Sequence, residues 1–248
     1  MSPFSQIIRD GVEEQIETAW QQIITSSDPV AAIRDTFGDI SVGSNGLLNS
    51  ERLDSNRPSE EFALLRALSI LVSKGALPPV RRLTIQLSAD SPFPYFIRPL
   101  LDHPDFSTLN LNRFRGKIPR DFWTLCTNFS VRSGQPAWHY QIIAPPNLLG
   151  ECNFHRLKAL AVCAKENRND ARSISTLYLW RQHLTRLPSN LGDLENLERI
   201  ELWGNPIERF PQSTVMLFML KDAVFAKEQQ SLAEEFHSML PHVRVGWT

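Results

Sequence analysis

The sequence is poor in cysteine and has almost no charge excess. Three cysteines in 248 residues, Cys126, Cys152 and Cys163, form no disulfide framework, which points to a reducing compartment. A formal net charge of -1, from Lys+Arg 26 against Asp+Glu 27, gives no electrostatic footprint for nucleic acid or an anionic membrane. Basic pairs such as Arg81-Arg82 read as solvated surface. No apolar run reaches the roughly 20 residues that span a bilayer. Residues 1–25 lack the basic start, apolar stretch and small-residue cleavage site of a secretory leader. The expectation is a cytoplasmic protein without nucleic-acid or membrane partners, with delivery into a host cell as an alternative setting.

Catalytic signatures are also missing. There is no P-loop, no G-x-G-x-x-G, no H-E-x-x-H and no G-x-S-x-G. Cys152-x-x-His155, with Cys163 and His139, carries zinc-ligand types, but the spacing matches no closed four-ligand pattern. Buried thiols and surface histidine are the plainer reading. A nucleophilic Cys126 or Cys163 would need a base held beside its thiol, and nothing in the sequence places one. The expectation is therefore a non-enzymatic chain with no cofactor and no metal.

What the sequence does contain is a repeat. Ile174, Leu177, Leu179, Leu184, Leu187 and Pro188 stand 23 positions before Leu197, Ile200, Leu202, Ile207, Phe210 and Pro211. In each copy the first leucines alternate inward from a short strand, and the later ones turn back into the same core from the other side. One copy cannot bury that face, so the next must cover it. Asn205 stands where an amide can tie the turn's backbone together by hydrogen bonds; its counterpart in the first copy is Gln182, which predicts a looser ladder there. Upstream, Phe106, Leu109 and Leu111 repeat the strand spacing, and Ile118-Pro119-x-x-Phe122-x-x-Leu125 matches Leu187-Pro188-x-x-Leu191-x-x-Leu194. Phe129-Ser130-Val131 reads as the start of a following strand, and Val80, Leu83 and Ile85 as a weaker earlier one.

In these residues the chain resembles the leucine-rich-repeat proteins, most closely those with Ras-suppressor-type repeats of 23 residues. Similar repeats occur in effectors that bacteria deliver into host cells. The resemblance is specific over 174–217 and weaker over 80–131. It implies an α/β fold: a short irregular leucine-rich-repeat solenoid with helical N-terminal and C-terminal caps. A repeat scaffold does not by itself fix a function. The bacterial leucine-rich-repeat ubiquitin ligases carry a large separate catalytic domain with a Cys nucleophile, and residues 214–248, after these repeats, are not expected to supply its counterpart.

Around the repeats, apolar residues from Phe4 to Ile23 recur at helical spacing and predict an amphipathic helix over 3–25. Asp28-Pro29 predicts a short helix closed by Gly38, residues 39–57 read as a loop, and Pro58-Ser59-Glu60-Glu61 opens a further helix ending at Lys74-Gly75. Residues 1–78 are thus expected to form a helical domain or cap, with 79–213 the repeat region. Residues 132–173 are expected to be an irregular insertion holding a helix near Phe154–Lys165. Residues 214–248 read as a helical C-terminal cap, with 214–239 helical and Leu240-x-x-Val243-x-Val245 echoing the strand spacing.

In the architecture that the resemblance implies, residues between the buried leucines point out of the concave face. That places Tyr178, Trp180 and Arg181 beside Arg199, Glu201 and Trp203, with the two tryptophans one repeat apart. Strands about 4.8 Å apart would make the indoles neighbours. Clustered aromatics and arginine suit a binding hot spot for a protein partner. Three readings compete: the tryptophans are covered by segment 132–173 or a cap, they mediate self-association, or the repeats select substrate for an adaptor of an enzyme such as a ubiquitin-ligase-type assembly.

Overall fold

A computed structural model describes residues 13–27, 40–42, 48–50, 83–86, 106–112 and 129–248, with positions 66, 69, 70, 73, 74, 99, 114 and 118. Helices alternate with largely parallel sheets, an α/β architecture. The chain divides into two compact units, Met1–Pro119 with Tyr140–Ile143, and Arg120–His139 with Ala144–Thr248.

In the first unit, helix α1 (Glu13–Ile24) buries Ile16 and Ala19 on one face, as the apolar spacing predicts. Glu17 on this helix pairs with Lys74 at 2.8 Å. Strands β1 (Ile40–Val42) and β2 (Leu48–Ser50) form an antiparallel pair inside the stretch expected to be a loop. Ser41, Asn49 and Ser50, among the polar residues that made 39–57 look irregular, stand inside two very short strands, whose Ile40, Val42 and Leu48 carry the β pattern. Strands β3 (Leu83–Gln86) and β4 (Phe106–Asn110) fall on the expected upstream copies and run parallel, with β2 beside β3. Beyond β4 the sheet continues into a parallel strand, Gln141–Ile143. The expected helix over 28–38, and residues 3–12 of the first helix, lie outside the described residues.

The second unit opens with a hairpin. Strands β5 (Phe129–Arg132) and β6 (Gln135–Trp138) are antiparallel and form a two-stranded sheet of their own. Phe129–Val131 is therefore not a parallel strand of the repeat series. Ser133 and Gly134, at φ 51° and 75°, supply the two left-handed residues that a tight hairpin turn requires. With Gln141–Ile143 as β7, helix α2 follows over Pro146–Lys165, eight residues earlier than the sequence predicts. Pro146 at its first position explains the start, since a proline there lacks only an amide hydrogen that the helix would leave unpaired.

Four parallel strands then stack in the order β11-β10-β9-β8: β8 (Thr176–Tyr178), β9 (Arg199–Glu201), β10 (Asp222–Phe225) and β11 (Arg244–Trp247). Leu177, Ile200, Ala223 and Val245 are in register. The core lies between their inward side chains and the return segments, which bury Leu184, Leu187, Leu191, Leu194, Ile207 and Leu217. Phe210, Phe225 and Phe236 pack with ring centroids 4.9 to 6.2 Å apart. Burial of each such side chain stabilises the unit by about 1.5–3 kcal/mol.

Residues 214–239 are not one helix. Gln212–Met216 is a 3-10 turn, β10 lies inside the stretch, and only Gln230–Met239, helix α3, is α-helical. The period explains the strand: Leu220, Ala223 and Phe225 lie 23 positions after Leu197, Ile200 and Leu202, with alanine in place of the central aliphatic residue.

Candidate functional site

Asn205 fixes the turns beneath the candidate face. It is buried, and its side chain makes four hydrogen bonds. Gln182 N and Leu184 N donate to Oδ1 at 2.9 and 3.1 Å, while Nδ2 donates to the carbonyls of Leu179 and Leu202 at 2.6 and 2.8 Å. Both functions of the amide are thereby used across two adjacent copies. Gln229 continues the pattern, donating from Nε2 to Asn205 O at 2.9 Å. Gln182 does not act this way: its Oε1 accepts from Asn153 Nδ2 on α2 at 2.9 Å, which ties the first copy sideways to the helix. The looser first rung expected from the sequence is therefore replaced by a contact with α2.

On the outer face, Trp180 and Trp203 stack with centroids 5.3 Å apart and planes 7° from parallel. The Arg181 guanidinium lies 5.2 Å from the Trp203 ring centroid, a cation–π contact. The ladder extends past the strands to hold them, since Leu179 N donates to Glu201 O and Arg181 N to Trp203 O. Tyr178 is in register with Glu201. Arg199 donates from Nη2 and Nε to Glu201 Oε1 at 2.8 and 3.1 Å. That bond, with the fields of Glu201, Asp222 and Tyr178, raises the Arg199 pKa further above its already high ordinary value. The Arg199 guanidinium therefore stays charged.

All six residues expected on this face are thus present on β8, β9 and the turns that follow them. Hairpin β5–β6 and helix α2, the parts of segment 132–173 that belong to this unit, leave Trp180 open to solvent. Trp180 and Tyr178 remain 43% and 46% exposed. The segment docks elsewhere: Gly134 O accepts from Ser175 N and Thr176 N, and α2 binds the return segment through Asn153–Gln182, Glu151–Arg186 and Lys158–Asn190. A Cβ at Gly150 would stand 2.2 Å from His183 O, so the glycine sets how closely α2 approaches.

The backbone at Arg181 is strained. It has φ 53°, a region that disfavours residues with a Cβ, whereas the same place in the next copy holds Gly204 at φ 72°. A Cβ at Gly204 would come within 2.9 Å of Arg181 Cγ, so that glycine makes room for the arginine stem.

Several features were not evident from the sequence. A cavity of about 170 Å³ lies among β6, α2 and β8, lined by Trp138, Arg156, Leu157, Leu160, Leu177 and Tyr178 among others. Val215, Met216, Phe218 and Met219 are exposed at the end of the second copy, Phe218 by 67%. Cys152 and Cys163 are buried and not joined by a disulfide, and burial pushes the Cys163 thiol up. Cys126 lies outside the described residues. Among the described residues no three of His, Cys, Asp and Glu converge as metal ligands, and no helix is long and apolar enough to cross a membrane.

No family model matches the chain. No curated protein matches it. Among solved structures it is similar to a leucine-rich-repeat protein of Leptospira interrogans at 14% identity and a TM-score of 0.27, over 75% of this chain and 56% of that one. The chain spans little more than half the length of that protein, and a likeness this slight carries no argument about function.

Proposed function

We propose that this chain is a non-enzymatic protein-interaction module, built as a short irregular leucine-rich-repeat solenoid, that binds a protein partner on its concave face. The 23-residue recurrence of β8, β9 and β10 and the amide ladder centred on Asn205 support the solenoid reading. The observation that carries the functional reading is the parallel Trp180–Trp203 stack, with Trp180 left open to solvent on a sheet face whose opposite side is fully packed. Such a pair offers a rigid apolar area with little side-chain entropy to lose on binding. Arg181 and the Arg199–Glu201 pair supply polar register around it, while Tyr178 extends the aromatic area.

The test compares capture of partners by the wild-type chain with capture by a Trp180→Ser/Trp203→Ser variant, with circular dichroism as the folding control. A captured protein is then purified for titration. The expected result is a loss of about 30-fold or more in affinity, the scale of one hot-spot residue. Equal affinity in both chains would reject the face as the binding surface.

A further inference from the structure

The cavity beside Tyr178 has a floor and a mouth of different chemistry. Leu157, Leu160 and Leu177 form a buried apolar floor. Trp138 and Arg156 line the wall, with the guanidinium carbon 4.9 Å from the indole centroid and Arg156 only 7% exposed. Gln135, Gln182 and Tyr178 stand at the less buried side. An apolar cavity of about 150 Å³ is enough to hold a benzene ring; this one measures about 170 Å³. A carboxylate that paired with the Arg156 guanidinium would lose hydration against the leucine floor, and that guanidinium already lies over the Trp138 indole. The indole and guanidinium favour a ring over an aliphatic group, because both interact with a π face or edge.

From this geometry we infer that the cavity is a socket for one aromatic side chain, a Phe or Tyr, presented by the protein that docks on the adjoining face. The inference rests on the binding reading above for the source of the ring, while the cavity supplies its chemistry. Tyr178 links the two, since it belongs to the outer face and also borders the cavity.

The test uses the full chain and small probes: p-cresol and toluene for the two side chains, with acetate as the anionic control. The Trp138 indole N–H and the methyls of Leu157, Leu160 and Leu177 are followed by NMR. The expected result is saturable shifts with p-cresol or toluene at a Kd of about 1 mM, the range open to so small a ligand. Nuclear Overhauser contacts from ring protons to those methyls locate the probe in the unmodified chain. A Leu157→Phe variant that fills the space should weaken binding at least tenfold.

Acetate moving the same signals while both ring probes stay silent would overturn the inference in favour of an anion site. Absence of any saturable shift would reduce the cavity to a packing gap. These outcomes are separable from the binding reading, because the Trp180→Ser/Trp203→Ser variant should still take p-cresol. Partner loss in that variant with silent ring probes would remove the socket and leave the face.

Discussion

The first copy of the repeat, residues 174–196, and the second, 197–219, share one interior and differ outside. Ile174 and Leu197, Leu177 and Ile200, Leu184 and Ile207, and Leu194 and Leu217 are all buried at matching positions. At the turns, Gln182 is matched by the buried Asn205 and Arg181 by Gly204, and on the outside Asp193, Glu195 and Asn196 give way to Met216, Phe218 and Met219. Packing demands account for the matched interior, because a core at crystal-like density tolerates few changes in volume. At the outer positions Trp180 and Trp203 match, as do Arg186 and Arg209, although the sheet core needs neither pair; Arg186 pairs with Glu151 on α2, whereas the tryptophans stack on each other. An outer residue kept in both copies, where its neighbours diverge, is what a binding role would produce.

The amide position separates the copies most strongly. Asn205→Ala should destabilise the second unit by about 3 kcal/mol, because it strands two amide donors and two carbonyls beneath the turn. Gln182→Ala removes a half-buried contact with Asn153 and a long, exposed bond from Nε2 to Trp180 O at 3.3 Å, and should cost less than about 1 kcal/mol. Urea unfolding of both variants checks the difference. Equal losses would mean that the two amides do the same work, and that the sideways tie to α2 matters as much as the ladder.

The same contrast shows what the sequence could reveal. Asn205 was legible because its spacing from Leu202 and Ile207 fixes it in a turn, and a turn has backbone groups for an amide to satisfy. The Trp pair was legible because a constant period puts equivalent positions on adjacent strands. Strand β10 was hidden by Ala223, which weakens the aliphatic pattern, and by the run from Val215 to Leu220, which reads as helix when its exposure is unknown. The strands at 40–42 and 48–50 were hidden by their polar surroundings. The cavity could not be read at all: Trp138 and Arg156 lie 18 positions apart on a hairpin and a helix, and only tertiary packing brings them together.

The left-handed position gives a second, smaller separation. Gly204→Ala should cost about 1–2 kcal/mol, since it places a Cβ at φ 72° and presses on Arg181 Cγ. Arg181→Gly in the first copy should leave stability within about 0.5 kcal/mol, because relief of strain at φ 53° offsets the lost cation–π contact and the added freedom of the unfolded chain. Thermal unfolding measures both. Partner affinity should nevertheless fall by at least about fivefold in the Arg181 variant, the least that marks an energetically important interface residue. A stable variant with unchanged affinity would remove Arg181 from the proposed site.

The smallest effect should come from rewriting the outside of the second copy as the first. Met216→Asp, Phe218→Glu and Met219→Asn replace three exposed apolar residues with the side chains found 23 positions earlier. Because Thr214, Leu217 and Leu220 carry the burial in this segment, the triple variant should change stability by no more than about 0.5 kcal/mol. In the first copy these polar positions make ion pairs, Asp193 with Lys165 and Glu195 with Arg172. Such exposed pairs contribute little, so their transfer without partners should matter little too. A loss well above 1 kcal/mol on thermal unfolding would show that the second copy uses its apolar exterior for stability, and that the two copies differ in how they fold as well as in what they present.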